Sequence, residues 1–413
     1  MIEVQLHTPD DWRQFLRDWS AEWISAAAEE PDRQRIPAEV VESGWLGYDP
    51  ATEEVIGAAE QRLGTRLPPS YRQFLAISDG WRNTSPFIDD LLPVGEVGWF
   101  RDLNTDWLRA WAEGAGTDQE DLAVLLGDLP ADEDEGEPDV MFEVVLMARA
   151  LQISGRGDSA VLLLDPDGAG PDGEWRGYFF ANWQGALGGG SPSFAALMRS
   201  EHQTFVRLNQ PAGPTLQAVV EQTGRARRLL LDGRLDEGLP LLVQAREYGL
   251  PLAELLDAQA QFLLGDSSQA QSNLRMVFPH HHPELATDRF IASEIVPLLL
   301  GGHNEYHVTN YRTQRTDALA TLLNDRVADP DAPITFADPQ FDAAARHARE
   351  LVAAGRLDDA WNAIVAALPA WRATSQYALL PAGLIADPIL GALLDGPDRK
   401  ERGEALLRTP RDR

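Results

Sequence analysis

The stretch that decides the fold of the first half of the chain runs from Leu67 to Trp81 and begins Leu67-Pro68-Pro69-Ser70. Two consecutive prolines are typical of a helix start, because the first turn does not need the N–H that proline lacks. Tyr71, Phe74 and Leu75 then fall on one helical face, and Asp79-Gly80 is typical of a turn. We therefore expect a short amphipathic helix that ends before Trp81.

The segments on either side of this stretch predict further helices and a pair of strands. Upstream, Thr52 to Leu63 predicts a helix ended by Gly64. Downstream, residues 160–164 and 175–183 read as strands joined by a loop of turn-forming residues, and residues 193–208 read as a closing helix. Helices, then strands, then a helix is an α+β order and not an alternating βαβ order.

Three other segments of the first half carry weaker patterns. Residues 8–23 predict an amphipathic helix with an aromatic stripe, which packs either on its own domain or on a partner. Residues 89–94 look like a strand and residues 107–111 like a helix, whereas residues 140–147 fit either. The stripe consists of Trp12, Phe15, Leu16, Trp19 and Trp23.

An ordered set of motifs across residues 38–208 resembles the SUKH superfamily, which includes yeast Smi/Knr-type cell-wall regulators. The set opens with Trp45-x-Gly47, continues through the Leu67 to Trp81 stretch, and includes Trp183 further on. The resemblance implies an α+β domain, with an antiparallel-rich sheet and helices, that binds proteins and has no catalytic residues. Bacterial members are commonly immunity proteins that neutralise toxins, many of them nucleases. The motif residues expected to be structural are Trp45, Gly47, Leu67, Pro68, Tyr71, Phe74, Leu75, Asp79, Gly80 and Trp81.

The second half of the chain is rich in leucine and alanine at helical spacing. Residues 229–238 resemble residues 351–360, and residues 262–270 form a weaker copy. Each copy places a glycine where a helix ends in the left-handed conformation. We therefore expect an all-α domain resembling helical-hairpin repeats over residues 215–413, after a SUKH-like domain at 38–208 and an N-terminal helix and linker at 1–37.

Charge is unevenly distributed along the 413 residues. Residues 1–208 hold 38 acidic and 15 basic side chains, a net charge of −23, out of −30 for the whole chain. Such a surface repels polyanions, so we expect no direct contact with nucleic acid or an anionic membrane. The absence of cysteine excludes thiolate catalysis and cysteine metal sites. The start of the chain lacks a signal-peptide pattern, which favours a cytoplasmic location.

The densest acidic run lies at residues 128–139, where 7 of 12 residues are acidic. One interpretation is a partner-binding loop that faces the basic cleft of a toxin, and the other is a solvated loop without a partner. The acidic residues of this run are Asp128, Asp132, Glu133, Asp134, Glu135, Glu137 and Asp139.

Two further clusters could hold metal ions. The loop acids Asp165, Asp167, Asp172 and Glu174 could bind calcium, but their spacing does not match an EF-hand and favours a hairpin loop. Among the histidines, His303 and His307 share a face if helical, as a zinc pair requires, with Glu294 as a conceivable third ligand. The remaining members are His280, His281 and His282.

The sequence therefore favours a non-enzymatic protein-binding module without a cofactor, plausibly an immunity protein for a cationic toxin such as a nuclease. A regulatory scaffold that binds partners through the helical repeats is the alternative. A metal-dependent hydrolase at the histidines is a remote third hypothesis. The oligomeric state does not follow from the sequence.

Overall fold

A computed structural model describes residues 6–29, 36–114, 140–184, 187–277, 285, 287–300, 305–315 and 317–411. The contact pattern divides the chain into two compact units, the first ending at Leu216 and the second beginning at Gln217. The first unit combines helices with a small antiparallel sheet, and the second is helical throughout its described part.

The first unit consists of helices followed by an interleaved set of strands and helices. Its helices are α1 (Pro9–Glu29), α2 (Ala38–Ser43), α3 (Glu53–Leu63), α4 (Pro69–Leu75), α5 (Phe100–Leu103), α6 (Thr105–Gly114), α7 (Val140–Arg149) and α8 (Phe194–Asn209). Its strands are β1 (Gly98–Trp99), β2 (Leu151–Gln152), β3 (Ala160–Asp165) and β4 (Arg176–Ala181). The helix predicted from Thr52 is present, with the Thr52 hydroxyl accepting the Val55 N–H and Gly64 in the left-handed conformation.

The four strands form one antiparallel sheet in the order β1-β2-β3-β4. The long pairing is β3 with β4, in which Ala160 faces Ala181 and Asp165 faces Arg176. Helices α5, α6 and α7 cover one sheet face, where Phe180 of β4 lies in a shared buried cluster with Val144 of α7. The predicted β-hairpin at 160–183 is thereby confirmed.

Helix α1 places its aromatic stripe inside the first unit. Trp12 stacks on Phe194 of α8 at 5.8 Å between ring centroids and lies equally far from Phe74 of α4. Further along, Trp23 stacks on Phe205 at 4.4 Å. Since Trp12 and Trp19 have no exposed surface, the stripe is a core contact of this unit.

Two segments that the sequence left weak are resolved. The strand predicted at 89–94 is wrong, because Leu91 makes only single-residue bridges, to Trp81 and to Ser154, and Pro93 has no N–H for a ladder. The helix predicted at 107–111 is confirmed within α6, and the ambiguous segment from Val140 is helix α7.

The second unit is a succession of helices. They are α9 (Pro214–Leu231, which contains the unit boundary), α10 (Leu235–Arg246), α11 (Pro251–Leu264), α12 (Ser267–Val277), α13 (Val296–Leu299), α14 (Glu305–Gln314), α15 (Ala318–Ala328), α16 (Pro339–Ala353), α17 (Leu357–Ala367), α18 (Gly383–Ala386) and α19 (Arg399–Arg408). A π-helical turn covers Ile291–Ile295, and 3₁₀ turns cover Leu368–Ala370 and Leu390–Leu393.

The repeated glycines stand where helices end. Gly233, Gly265 and Gly355 have φ angles of +75°, +89° and +76°, and each precedes the next helix by one or two residues. Successive helices α11 and α12, and α16 and α17, pack against each other as antiparallel neighbours joined by such short turns. No helix in the described part of the chain combines the length and apolar character needed to cross a bilayer.

Candidate functional site: an aromatic surface on the α+β unit

The motif residues around Trp81 form the part of the core that supports the surface described below. Trp81 is fully buried, and its ring contacts Trp45 edge-on at 5.2 Å and Trp19 at 5.8 Å. Its backbone exchanges two hydrogen bonds with Leu91, so the segment after Trp81 folds back on itself. The other buried motif residues are Gly47, Leu67, Pro68, Tyr71, Phe74, Leu75 and Gly80, whereas Trp45 and Asp79 are partly exposed.

Polar side chains tie this motif to the sheet and to α8. The Ser70 hydroxyl donates to Glu174 at 2.6 Å and accepts the Ala195 N–H at 3.3 Å. Glu174 also accepts the Ser70 N–H, which occupies one carboxylate oxygen at the end of the loop before β4. These bonds hold the start of α4 against the β3–β4 connection and the start of α8.

Two motif glycines allow close backbone packing. A Cβ on Gly80, whose φ is +107°, would lie 2.8 Å from the Leu91 carbonyl oxygen. A Cβ on Gly47 would lie 2.4 Å from the Ser78 hydroxyl oxygen. Asp79 between them accepts the Val94 N–H at 2.7 Å. The turn that leads from Trp81 to Leu91 is therefore fixed at both of its ends.

Three aromatic side chains meet on the surface of the first unit, and we name Phe87, Phe179 and Trp183 the aromatic triad. Their ring centroids lie 5.6 to 6.2 Å apart in tilted or edge-on contacts. Trp183 keeps 51% of its surface exposed, and both phenylalanines are partly exposed. An exposed cluster of large rings is uncommon on a protein surface and is typical of an interaction site.

The triad is held by the loop at residues 155–159. The Trp183 Nε1–H donates to the Asp158 carbonyl at 2.8 Å, and the Asp158 N–H donates to the Phe87 carbonyl at 2.9 Å. Gly157 passes so close that a Cβ there would lie 2.0 Å from the Phe87 oxygen. The rings are therefore fixed in place and are not mobile side chains on an open loop.

Sequence reasoning listed Trp183 but missed both phenylalanines of the triad. The available signal was the alternation of β4, since Tyr178 and Phe180 point into the core and Phe179 must then face the other way. Phe87 gave no such signal, because only the fold of the turn after Trp81 brings it to the strand.

Charged groups around the triad are unequally engaged. Arg82 lies over the Tyr48 ring at 3.8 Å and donates to the Gly47 carbonyl, and Arg156 lies over Trp107 and donates to Asn104. Asp158 is exposed and makes no ion pair within the described residues. Asp89 is also exposed, and partial burial raises its pKa, with the neighbouring Asp90 adding to the effect.

The acidic run from Asp128 to Asp139 lies outside the described residues, so its predicted partner-binding role stays a prediction. The histidines His280, His281, His282 and His303 also lie outside them, and His307 falls on α14 without a described side chain.

The acids that were weighed as metal ligands have other bonding partners. Asp165 is paired with Arg149, while Glu174 is bound to Ser70. Glu294 accepts N–H groups from Ala337 and Gly383. Within the described ranges, no group of histidine and carboxylate side chains is arranged to hold a metal ion.

A groove of about 770 Å³ lies beside the start of α4. Arg72 at its edge is already paired with Glu53 and Glu60, while Arg66 makes no ion pair in the described structure. The groove therefore holds a mixture of engaged and free charges and does not bring a nucleophile and a base together.

The comparison with protein families agrees with this architecture. Residues 50–200 match the SMI1 / KNR4 family (SUKH-1). This segment is a SUKH domain. It contains α3, α4, the whole sheet, the aromatic triad and the start of α8. Among curated proteins and solved structures, no match was found for this chain.

Proposed function

We propose that this chain is a non-enzymatic, cytoplasmic binding protein that neutralises a cationic toxin by occluding it in a stoichiometric complex. The observation that carries the proposal is the charge of −23 on residues 1–208, the half that contains the SUKH domain. Proteins of that family typically bind other proteins. A net negative field of this size attracts a basic partner from a distance and repels nucleic acid.

The acidic run at 128–139 is the segment that we propose as the main electrostatic contact. Its 7 carboxylates follow one another within 12 residues, a density comparable to a nucleic-acid backbone. Such a segment competes with the substrate of a nuclease for the same arginines and lysines. Because exposed charges are screened beyond about 8 Å at physiological salt, the association rate should fall as salt rises.

The protein encoded directly upstream of this chain's gene is the partner to test. Expressed alone it should arrest growth, and co-expression with the full chain should restore growth. Deleting residues 131–138 should slow association of the purified proteins by about tenfold or more at low salt, since steering changes on-rates by factors of about 10 to 1,000.

A matched control separates charge from chain length. A variant with Asp132→Asn, Glu133→Gln, Asp134→Asn, Glu135→Gln and Glu137→Gln keeps the length of the segment and should behave like the deletion. Association that does not change with salt, or growth arrest that persists with the full chain present, would contradict the proposal.

A regulatory scaffold that binds through the helical unit is the second candidate. A groove of about 530 Å³ lies between α10, α11 and α19, lined in part by Leu235, Leu239 and Leu264. An upstream gene that encodes no toxin would favour this scaffold, and binding of a partner by a fragment of unit two alone would support it directly.

A further inference from the structure

The aromatic triad has no role in holding the core together. Trp183 exposes half of its surface even though its indole is anchored to the Asp158 carbonyl. Exposed aromatic surface costs free energy in water, and a fixed ring loses little conformational entropy when a partner covers it. Rings with these two properties are the usual anchors of protein interfaces.

The loops that present the triad have an unusual backbone. Asn83 and Ser159 have φ angles of +49° and +54°, in the left-handed region that residues other than glycine rarely adopt. Asn83 lies in the turn that presents Phe87, and Ser159 follows the Asp158 anchor. Such conformations persist only where surrounding contacts enforce them, and they are common at binding sites.

The charge around the triad is complementary to a basic partner. Arg82 and Arg156, the cations nearest in sequence to the triad loops, are committed to Tyr48 and Trp107 as well as to backbone or amide oxygens. Asp158 and Asp89 are exposed and unpaired within the described residues. The rings are therefore bordered by carboxylates without counter-ions.

We infer that the aromatic triad, with Asp158 and Asp89, is the docking surface for an arginine side chain of the basic partner. The guanidinium lies on the exposed face of Trp183, and Asp158 accepts its hydrogen bonds. Arginine is favoured over lysine because its planar, weakly hydrated group stacks on aromatic rings and binds carboxylates with two parallel bonds. This inference rests on the proposed function, since it names the residue type by which the same partner is recognised.

The test uses two fluorescent peptides of equal charge, one of about nine arginines and one of about nine lysines, with the full chain at low salt. Fluorescence anisotropy gives a Kd for each peptide. We expect the arginine peptide to bind more tightly by about two- to fivefold, the size of one exposed cation–π contact. Trp183→Leu should bring this ratio close to one without changing the affinity for the lysine peptide.

Matched controls keep the result specific to the triad. Leu103 is exposed to 46% in the same unit, so Leu103→Ala should leave the ratio unchanged. Asp158→Asn keeps the backbone anchor and should weaken binding of the arginine peptide more than Glu54→Gln, which removes an exposed carboxylate elsewhere in the unit. Circular dichroism of each variant checks that it is folded.

Each outcome separates this inference from the proposed function. If Trp183→Leu and Asp158→Asn leave the arginine-to-lysine ratio as it was while both peptides bind, the docking surface is wrong and the acidic binding protein stands. If neither peptide binds at low salt, the electrostatic basis of the proposed function fails, and the docking surface fails with it.

Discussion

The ion pair between Arg149 and Asp165 allows a quantitative test of how α7 is held against the sheet. Arg149 ends α7 and Asp165 ends β3, and both side chains are buried, with 5% and 2% exposure. The Arg149 Nε and Nη2 atoms donate to the two Asp165 oxygens at 2.9 and 3.0 Å. Arg149→Met keeps the length of the side chain and leaves the Asp165 carboxylate buried without its cation.

The expected cost follows from the partners that remain. Removing one member of a buried pair destabilises a protein by about 3–5 kcal/mol. Asp165 would still accept the Asp167 N–H at 3.1 Å, so we expect the lower end, about 3 kcal/mol. With a urea m-value of about 2 kcal/mol/M, the unfolding midpoint of the first unit should fall by about 1.5 M.

Tryptophan fluorescence is a suitable assay because ten of the twelve tryptophans lie in the first unit. Asp167→Asn is the control, since Asp167 pairs with the same arginine at 3.0 Å but is 55% exposed, and it should cost less than about 1 kcal/mol. The double variant Arg149→Met with Asp165→Asn should be more stable than Arg149→Met alone. If Arg149→Met unfolds at the same urea concentration as Asp167→Asn, the burial argument is refuted.

Two further predictions concern a buried acid and two glycines. Burial raises the pKa of Glu294 to about 8 from a model value of 4.5, so the folded state retains a proton that the unfolded state releases; stability of the second unit should fall from about pH 4.5 to about pH 8, and Glu294→Gln should reduce that fall in urea melts followed by circular dichroism. A steeper fall in the variant than in the parent would contradict this linkage. Gly157→Ala should destabilise the first unit by about 1–3 kcal/mol because its Cβ meets the Phe87 oxygen, whereas Gly57→Ala in α3 meets nothing within 4 Å and should stabilise it by about 0.5–1 kcal/mol. Equal thermal shifts for these two variants would show that the close approach at Gly157 is not rigid.

Local patterns predicted the elements of this chain where the signal lies within one turn or one strand. The cap at Thr52, the left-handed Gly64 and the β3–β4 hairpin each depend on neighbouring residues, and each is present. The segment at 89–94 was misjudged because apolar residues in a row resemble a strand, while Pro93 and the return to Trp81 limit pairing to single bridges.

The candidate surface could be predicted only in part because it depends on contacts between distant segments. Phe87 and Phe179 are more than ninety residues apart in the chain, and neither lies in a motif with chemical meaning. The stripe on α1 was visible at helical spacing, but its spacing could not reveal that Phe74 and Phe194 receive it. Tertiary packing decides both of these contacts.

The way in which the sheet ends has a consequence for how any partner can bind it. At one edge β1 is only two residues long, and at the other the Gly177 backbone exchanges two hydrogen bonds with Ser191. Blunted edges of this kind protect against strand-to-strand aggregation. They also leave little backbone to which an extended peptide could add as a further strand. Recognition by this sheet must therefore depend on side chains, which substitution can change one at a time, so specificity can diverge between related proteins while the fold is kept.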